Sequence, residues 1–239
     1  KKIDIILMET TYSAREQTDR SATEKELGRI IDKTVSKGGI AVIPSFALRA
    51  PEIIMVLNKQ KIKVPMYLDG MARKATEIAL RHPQFLRNSI ELKKAVSKVR
   101  MIKQHIERTK ILAHPCVIVT TGGTLDGGPI VSYLKHLYAK KDCSLILTGF
   151  QFPKSAGNYL VETGRYVTDE FDLKLGMQLH QLSFSGHADR TELLRFVQKI
   201  RPKKVICMHG DQCHRFATEL KGRFNIEGLA PKPGEILEL

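Results

Sequence analysis

What most constrains this chain is the repeated alternation of short apolar runs with amphipathic segments of about ten to fifteen residues. Residues 3–8, 40–43, 65–68, 116–119, 144–148 and 203–208 read as buried strands, and most end in polar residues, glycine or proline. Helical spacing predicts helices over 22–36, 50–58, 71–81, 90–108, 129–139, 189–199 and 211–222. Strand–helix alternation of this kind implies crossover connections, and hence an α/β fold with a doubly wound, mainly parallel sheet. Residues 165–168 and 173–184 break the rhythm and read as extended, and a terminal strand is expected over 235–238. The joints fall near 13–21 and 176–185.

Charge narrows the class of partner. Thirty-nine Lys and Arg against 25 Asp and Glu give a net charge of +14, which favours a polyanion, nucleic acid ahead of an anionic membrane surface. A generally basic surface without a polyanionic partner is the plainer alternative. Aromatic residues make up 6% with no Trp, which points to backbone recognition rather than base stacking. No apolar run approaches the roughly 20 residues of a membrane span, so no membrane partner is expected. The opening Lys1-Lys2-Ile3-Asp4 lacks an initiator Met and a signal-peptide pattern and enters a strand at once, so a longer protein is expected. Cys116, Cys143, Cys207 and Cys213 form no Cys-x-x-Cys pair, and three of them sit in apolar runs. That pattern disfavours a zinc finger and fits a reducing, cytoplasmic setting.

Three strand ends carry chemistry. Phe184-Ser185-Gly186-His187-Ala188-Asp189-Arg190 places His187 after an extended segment, with Asp189 suited to cap the helix behind it. Cys207-Met208-His209-Gly210-Asp211 repeats the arrangement around His209. Singly, each is ordinarily a structural or surface histidine; two at matching strand ends, where open α/β sheets place ligands, reverse that reading. Glu9 ends the first strand in the same way, and a carboxylate there can bond an imidazole and fix its tautomer. Alone it reads as a solvated loop carboxylate. The loop from Thr120 to Pro129, with Thr121, Gly122 and Gly123, lets backbone amides approach a phosphate. It lacks the Lys-Ser/Thr ending of a P-loop, and such loops are often only tight turns.

Glu9-Thr10-Thr11-Tyr12, the glycine loop, Ile146-Leu147-Thr148-Gly149-Phe150-Gln151, Phe184-Ser185-Gly186-His187-Ala188-Asp189 and Met208-His209-Gly210-Asp211 occur together and in order. In combination they resemble the beta-CASP branch of the metallo-beta-lactamase superfamily, near the endonuclease subunit of cleavage and polyadenylation specificity factor and its archaeal and bacterial ribonuclease relatives. The resemblance implies a beta-CASP domain over 14–185. Segments 1–13 and 186–239 would then be the C-terminal portion of a metallo-beta-lactamase αββα fold. It implies a zinc-dependent ribonuclease, endonucleolytic or 5′-exonucleolytic, with two zinc ions in the complete protein. RNA is the implied partner, with a homodimer or an RNA-processing complex as further partners. Glu9 and His187 correspond to the family's catalytic acid–imidazole pair, and His209 to a metal ligand. Thr121, Gly122, Gly123, Ser185, Arg190 and Arg49 are expected to contact substrate, with Lys154, Ser155, Ala156, Gly157 and a basic face over 93–108 as further RNA contacts.

The pattern departs from the family in places. No His-x-His-x-Asp-His run occurs among the eight histidines, so the resemblance places the remaining ligands upstream of Lys1. Pro44-Ser45-Phe46-Ala47-Leu48-Arg49 lacks the glycine usual before its arginine, and Thr121-Gly122-Gly123-Thr124 replaces Thr-Ser-Gly-Met. Two other readings stand beside the nuclease. One is a catalytically inactive RNA-binding or scaffold subunit of the same family. The other is a nucleotide-binding α/β domain using the 122–129 loop, which needs no zinc and leaves both histidines unexplained.

Overall fold

The computed structural model describes residues 2–237. In chain order its elements begin with β1 (Ile5–Glu9), α1 (Arg20–Val35), β2 (Ile40–Ser45), α2 (Ala50–Lys59), β3 (Met66–Asp69) and α3 (Met71–Arg81). Then follow α4 (Ser89–Val96), β4 (Val99–Met101), α5 (His105–Lys110), β5 (Cys116–Thr121), α6 (Pro129–Leu137), β6 (Ser144–Leu147) and α7 (Ala156–Thr163). The chain continues through β7 (Arg165–Val167), β8 (Asp172–Lys174), β9 (Gln178–Gln181), α8 (Arg190–Ile200), β10 (Lys204–Met208), α9 (Cys213–Phe224) and β11 (Glu227–Leu229). It divides into two compact units, one spanning Asp19–Ser185 and the other formed by the residues up to Thr18 and from Gly186 onward.

The larger unit is built on a six-stranded sheet in the order β4-β3-β5-β2-β6-β9, with every neighbouring pair parallel. Alternation along the strands makes both faces apolar. Ala41, Ile43, Val117 and Val119 face a core shared with Leu27, Ile30, Ile31, Ile53, Ile54 and Leu57 of α1 and α2. Ile40, Val42, Cys116 and Ile118 point the other way, onto Ile130, Tyr133, Leu134 and Leu137 of α6 and Leu160 of α7. Helices on both faces of a parallel sheet are the doubly wound arrangement expected from the alternation. The irregular stretch after residue 164 folds as an antiparallel hairpin of β7 and β8, followed by the edge strand β9.

Three expectations need correction. The basic stretch over 90–108 is not one helix. Asn88 caps α4 by accepting from the Glu91 amide, Val99–Met101 then pairs with β3 at the sheet edge, and α5 starts from a Gln104–Glu107 capping box. The basic residues of 93–108 are therefore divided among α4 (Lys93, Lys94), β4 (Arg100), α5 (Arg108) and the segments between them (Lys98, Lys103). The terminal strand over 235–238 is not formed across 235–237, and position 238 lies outside the described residues. The edge strand that does form is β11, whose Glu-Gly-Leu sequence carries little strand signal. Helix α7 was missed because it is short and opens Ala156-Gly157-Asn158, of which the last two are weak helix formers. Its start is set by Ser155, whose hydroxyl accepts from the Asn158 amide.

The smaller unit is a parallel three-stranded sheet, β1-β10-β11, with β10 central. Val205 and Cys207 pack with Leu193, Leu194 and Val197 of α8 and Phe216, Ala217 and Leu220 of α9. The register of β1 on β10 sets Glu9 opposite Met208, so both strands end at the same level. Among the described residues no helix is long and apolar enough to cross a membrane.

Candidate functional site

The level strand ends bring the polar residues of the smaller unit together. The Thr10 amide donates to the Met208 carbonyl at 2.8 Å, continuing the β1–β10 pairing by one residue. Gly210 follows at close quarters: a Cβ there would lie 2.4 Å from the Thr10 carbonyl oxygen, so only glycine lets the chain pass. Between them His209 adopts φ +53, a left-handed conformation uncommon outside glycine, in which Asn, Asp and His are the side chains most often found.

His187 reaches the same place from the loop before α8. Asp189 caps that helix in a reciprocal box, accepting from the Glu192 amide at 2.9 Å while Glu192 accepts from the Asp189 amide at 3.1 Å. Tyr12 and Asp189 form an isolated parallel bridge, the Arg190 amide donates to the Arg15 carbonyl at 3.1 Å, and Gln17 Nε2 donates to the His187 carbonyl. The Tyr12 ring stands edge-on to the His187 imidazole at 5.9 Å, and the Arg15 guanidinium lies 4.0 Å from the Tyr12 ring centroid.

The outcome is a compact cluster of Glu9, His187 and His209, whose ligand atoms all lie within 4.8 Å of one another. His187 Nδ1 lies 3.3 Å from Glu9 Oε2, and the two imidazoles stack at 5.6 Å with a 25° tilt. Partial burial pushes the Glu9 carboxyl up, but hydrogen bonds from the Thr11 side chain and amide, with His187 beside them, outweigh it and hold the carboxyl below its ordinary range. Glu9 is therefore ionised at neutral pH. Both histidines are exposed and Glu9 is half-buried, so the cluster is open to solvent. Two imidazoles and a carboxylate are a donor set suited to zinc, and three such donors fall one short of a closed four-ligand shell.

Thr11 is the residue that sequence reasoning passed over. Its amide donates to Glu9 Oε2 at 2.9 Å, and its hydroxyl lies 2.9 Å from His209 Nδ1 and 3.4 Å from His187 Nδ1. Its signals were its place two residues after a strand-end carboxylate and its inclusion in the Glu9-Thr10-Thr11-Tyr12 motif, neither of which assigned it a role.

The other expected substrate residues are held differently. Arg190 pairs with Glu219 inside the smaller unit. Arg49, in the larger unit, pairs with Glu52 at 2.6 Å and donates to the Phe184 carbonyl. Thr121 accepts at its hydroxyl from the Met71 amide at 3.3 Å. Gly122 has φ +106, and a Cβ on it would strike Ile130 at 2.3 Å and the Gly127 carbonyl at 2.4 Å. Internal packing thus accounts for that glycine without a phosphate. Gly123 abuts the backbone of Ser45 and Phe46, and Ser185 is the half-buried last residue of its unit. The segment after Lys154 is tied down as well: the Ala156 amide donates to Asp126 Oδ1 at 2.7 Å and the Gly157 amide to the Thr124 carbonyl at 2.8 Å.

Comparison with known proteins places these features. The family model of the Beta-Casp domain matches residues 51–160, and that of the Zn-dependent metallo-hydrolase RNA specificity domain matches residues 172–231. A protein named Probable RNase MJ4 from Methanocaldococcus jannaschii is 35% identical over 99% of this chain and 57% of its own length. RNase aCSPSF2 of Saccharolobus solfataricus is 31% identical over 99% of this chain and 48% of its length, and transcription termination factor FttA of Methanosarcina mazei 30% over 96% and 40%. The chain thus spans about half the length of the curated relatives it matches. A crystal structure of an Enterococcus faecalis V583 protein of unknown function aligns with a TM-score of 0.53 at 16% identity, over 98% of this chain and 51% of that one, a likeness of fold. With both domain models and these relatives in agreement, the chain belongs to the beta-CASP branch of the metallo-beta-lactamase superfamily.

Proposed function

We propose that this chain supplies the imidazole–carboxylate portion of a zinc-dependent ribonuclease site, acting on RNA phosphodiester bonds. The observation that carries the reading is the convergence of Glu9, His187 and His209 at one set of strand ends. The names of the relatives, RNases among them, and the net charge of +14 support RNA as substrate.

The three residues divide into two roles. Glu9 and His187 face each other, and the carboxylate accepts the Nδ1 proton of the ring. That bond fixes the ring plane and leaves Nε2 on the opposite side, where it can deliver a proton to the oxygen leaving the cleaved phosphodiester. His209 has a hydroxyl at Nδ1 rather than a carboxylate, and its Nε2 is the nitrogen assigned to zinc. Zinc, when bound, supplies activation of the attacking water and charge neutralisation at the phosphate. Arg15, over Tyr12 and within the same unit, adds positive charge beside His187 for the polyanion.

The test uses the full-length protein, with zinc content and RNA cleavage measured on each variant. His187→Ala should keep its zinc and lose about 10²–10⁴ in turnover, the usual contribution of a positioned acid. His209→Ala should lose zinc and cleavage together. Wild-type cleavage in either variant, or wild-type zinc affinity in His209→Ala, would refute the assignment.

A further inference from the structure

Thr11 offers one hydroxyl to the two imidazoles and to a backbone carbonyl. Its Oγ1 lies 2.8 Å from the His209 carbonyl oxygen and 2.9 Å from His209 Nδ1. A hydroxyl has a single proton, and a carbonyl oxygen can only accept. The Glu9 carboxylate beside it is likewise acceptor-only. Whichever of these oxygens takes the proton, the Thr11 oxygen has none left for the ring, so the 2.9 Å contact requires His209 Nδ1 to be the donor. A neutral imidazole that carries its proton on Nδ1 presents its lone pair at Nε2.

The backbone makes this possible. At φ +53, His209 turns its own carbonyl back toward Thr11, so one residue supplies both the acceptor for the hydroxyl proton and the ring that donates in return. The register that sets Glu9 opposite Met208 then brings Thr11 across from His209 without any long side chain. His187 Nδ1, at 3.4 Å, makes the weaker of the two ring contacts to Thr11 and lies marginally closer to Glu9.

We propose that Thr11 is a positioning residue that locks His209 in the Nδ1–H tautomer and so presents Nε2 as a metal ligand. The proposal deepens the zinc-ribonuclease reading and rests on it only for the identity of the metal. Thr11 acts through His209 and touches no substrate.

The experiment compares Thr11→Val, which keeps the shape without the hydroxyl, with Thr11→Ser, which restores it. In full-length protein carrying ¹⁵N-histidine and stripped of metal, imidazole ¹H–¹⁵N correlations report the tautomer of His209. Zinc affinity is measured separately by competition with a chelator. Wild type and Thr11→Ser should show the Nδ1–H tautomer and affinities within about threefold of each other. Thr11→Val should shift His209 toward Nε2–H and bind zinc about 10- to 100-fold more weakly, as expected on losing an outer partner of a ligand. An Nε2–H ring in the wild type overturns the proposal, as does a Thr11→Val protein with unchanged tautomer and affinity. The wild-type spectrum decides the matter even if Thr11→Val does not fold. Failure of the ribonuclease reading shows itself elsewhere, as undiminished zinc binding by His209→Ala or absence of RNA cleavage, and leaves the tautomer result standing.

Discussion

Both units are parallel sheets whose strands end in polar residues, yet those residues are treated in opposite ways. In the larger unit Ser45, Asp69, Thr120 and Thr148, at or just past the ends of β2, β3, β5 and β6, are all at least nine-tenths buried. Asp69 is the clearest case. It accepts from Arg108 at 2.7 Å, from the Tyr133 hydroxyl at 2.8 Å and from the Gly70 amide at 2.6 Å. In the smaller unit Glu9, His187 and His209 form a cluster open to solvent, with Thr11 in contact with all three. A strand end is therefore a place where polar groups collect, and it is a candidate site where titratable groups converge within reach of solvent. The same contrast weakens the nucleotide-binding alternative, because the Gly122 loop is shaped by its own packing.

The sharpest way to break this comparison is to remove the two carboxylates in turn. Asp69→Ala leaves the Arg108 guanidinium without its partner and should cost about 3–5 kcal/mol, read from denaturant unfolding. Glu9→Gln, which keeps the side chain's size at a half-buried position, should cost no more than about 1 kcal/mol, while lowering the proposed RNA cleavage. Equal destabilisation by the two would erase the distinction. Tyr133→Phe removes one hydrogen bond to the Asp69 carboxylate from the same buried network and should cost about 1.5–3 kcal/mol.

Smaller effects sharpen the picture at the edges of the site. Asp189→Ala removes the cap of α8 and should cost about 1 kcal/mol at neutral pH. The Glu192 amide, with burial opposing it, holds the Asp189 carboxyl below its ordinary value. A depressed folded-state pKa means the contribution is complete above the unfolded range near pH 4 and fades as the pH falls below it. The penalty of Asp189→Ala should accordingly shrink in acid; a constant penalty down to about pH 2 would disprove the cap's electrostatic part. Least of all, thiol labelling of the folded protein at mildly alkaline pH should leave Cys116 and Cys207 untouched. Burial pushes both thiols up to about 12, whereas Cys213 is only half-buried.

Sequence made the doubly wound sheet legible because buried parallel strands are continuous apolar runs, as at Ile40–Ile43 and Cys116–Val119. Strand β4 was hidden for the opposite reason. Val99, Arg100 and Met101 lie among lysines, and only pairing with β3 makes them a strand. Glu9, His187 and His209 were visible as polar residues closing apolar or extended segments. Their grouping within 4.8 Å depends on the register of β1 on β10, and so does the part played by Thr11; no local pattern encodes a register between strands about 200 residues apart. Arg49 and Arg190 show the converse limit. Their charge was plain in the sequence, but the acids and carbonyls that engage them were not.

The left-handed backbone at His209 has a consequence for how this chain can change over generations. Glycine would sit there without a Cβ to strain, so the backbone alone does not call for the histidine. On the proposed reading, a lineage that no longer binds zinc would be free to exchange it. Among relatives of this chain, the residue at this position should therefore be a readable record of whether the proposed metal-ligand role is still under selection.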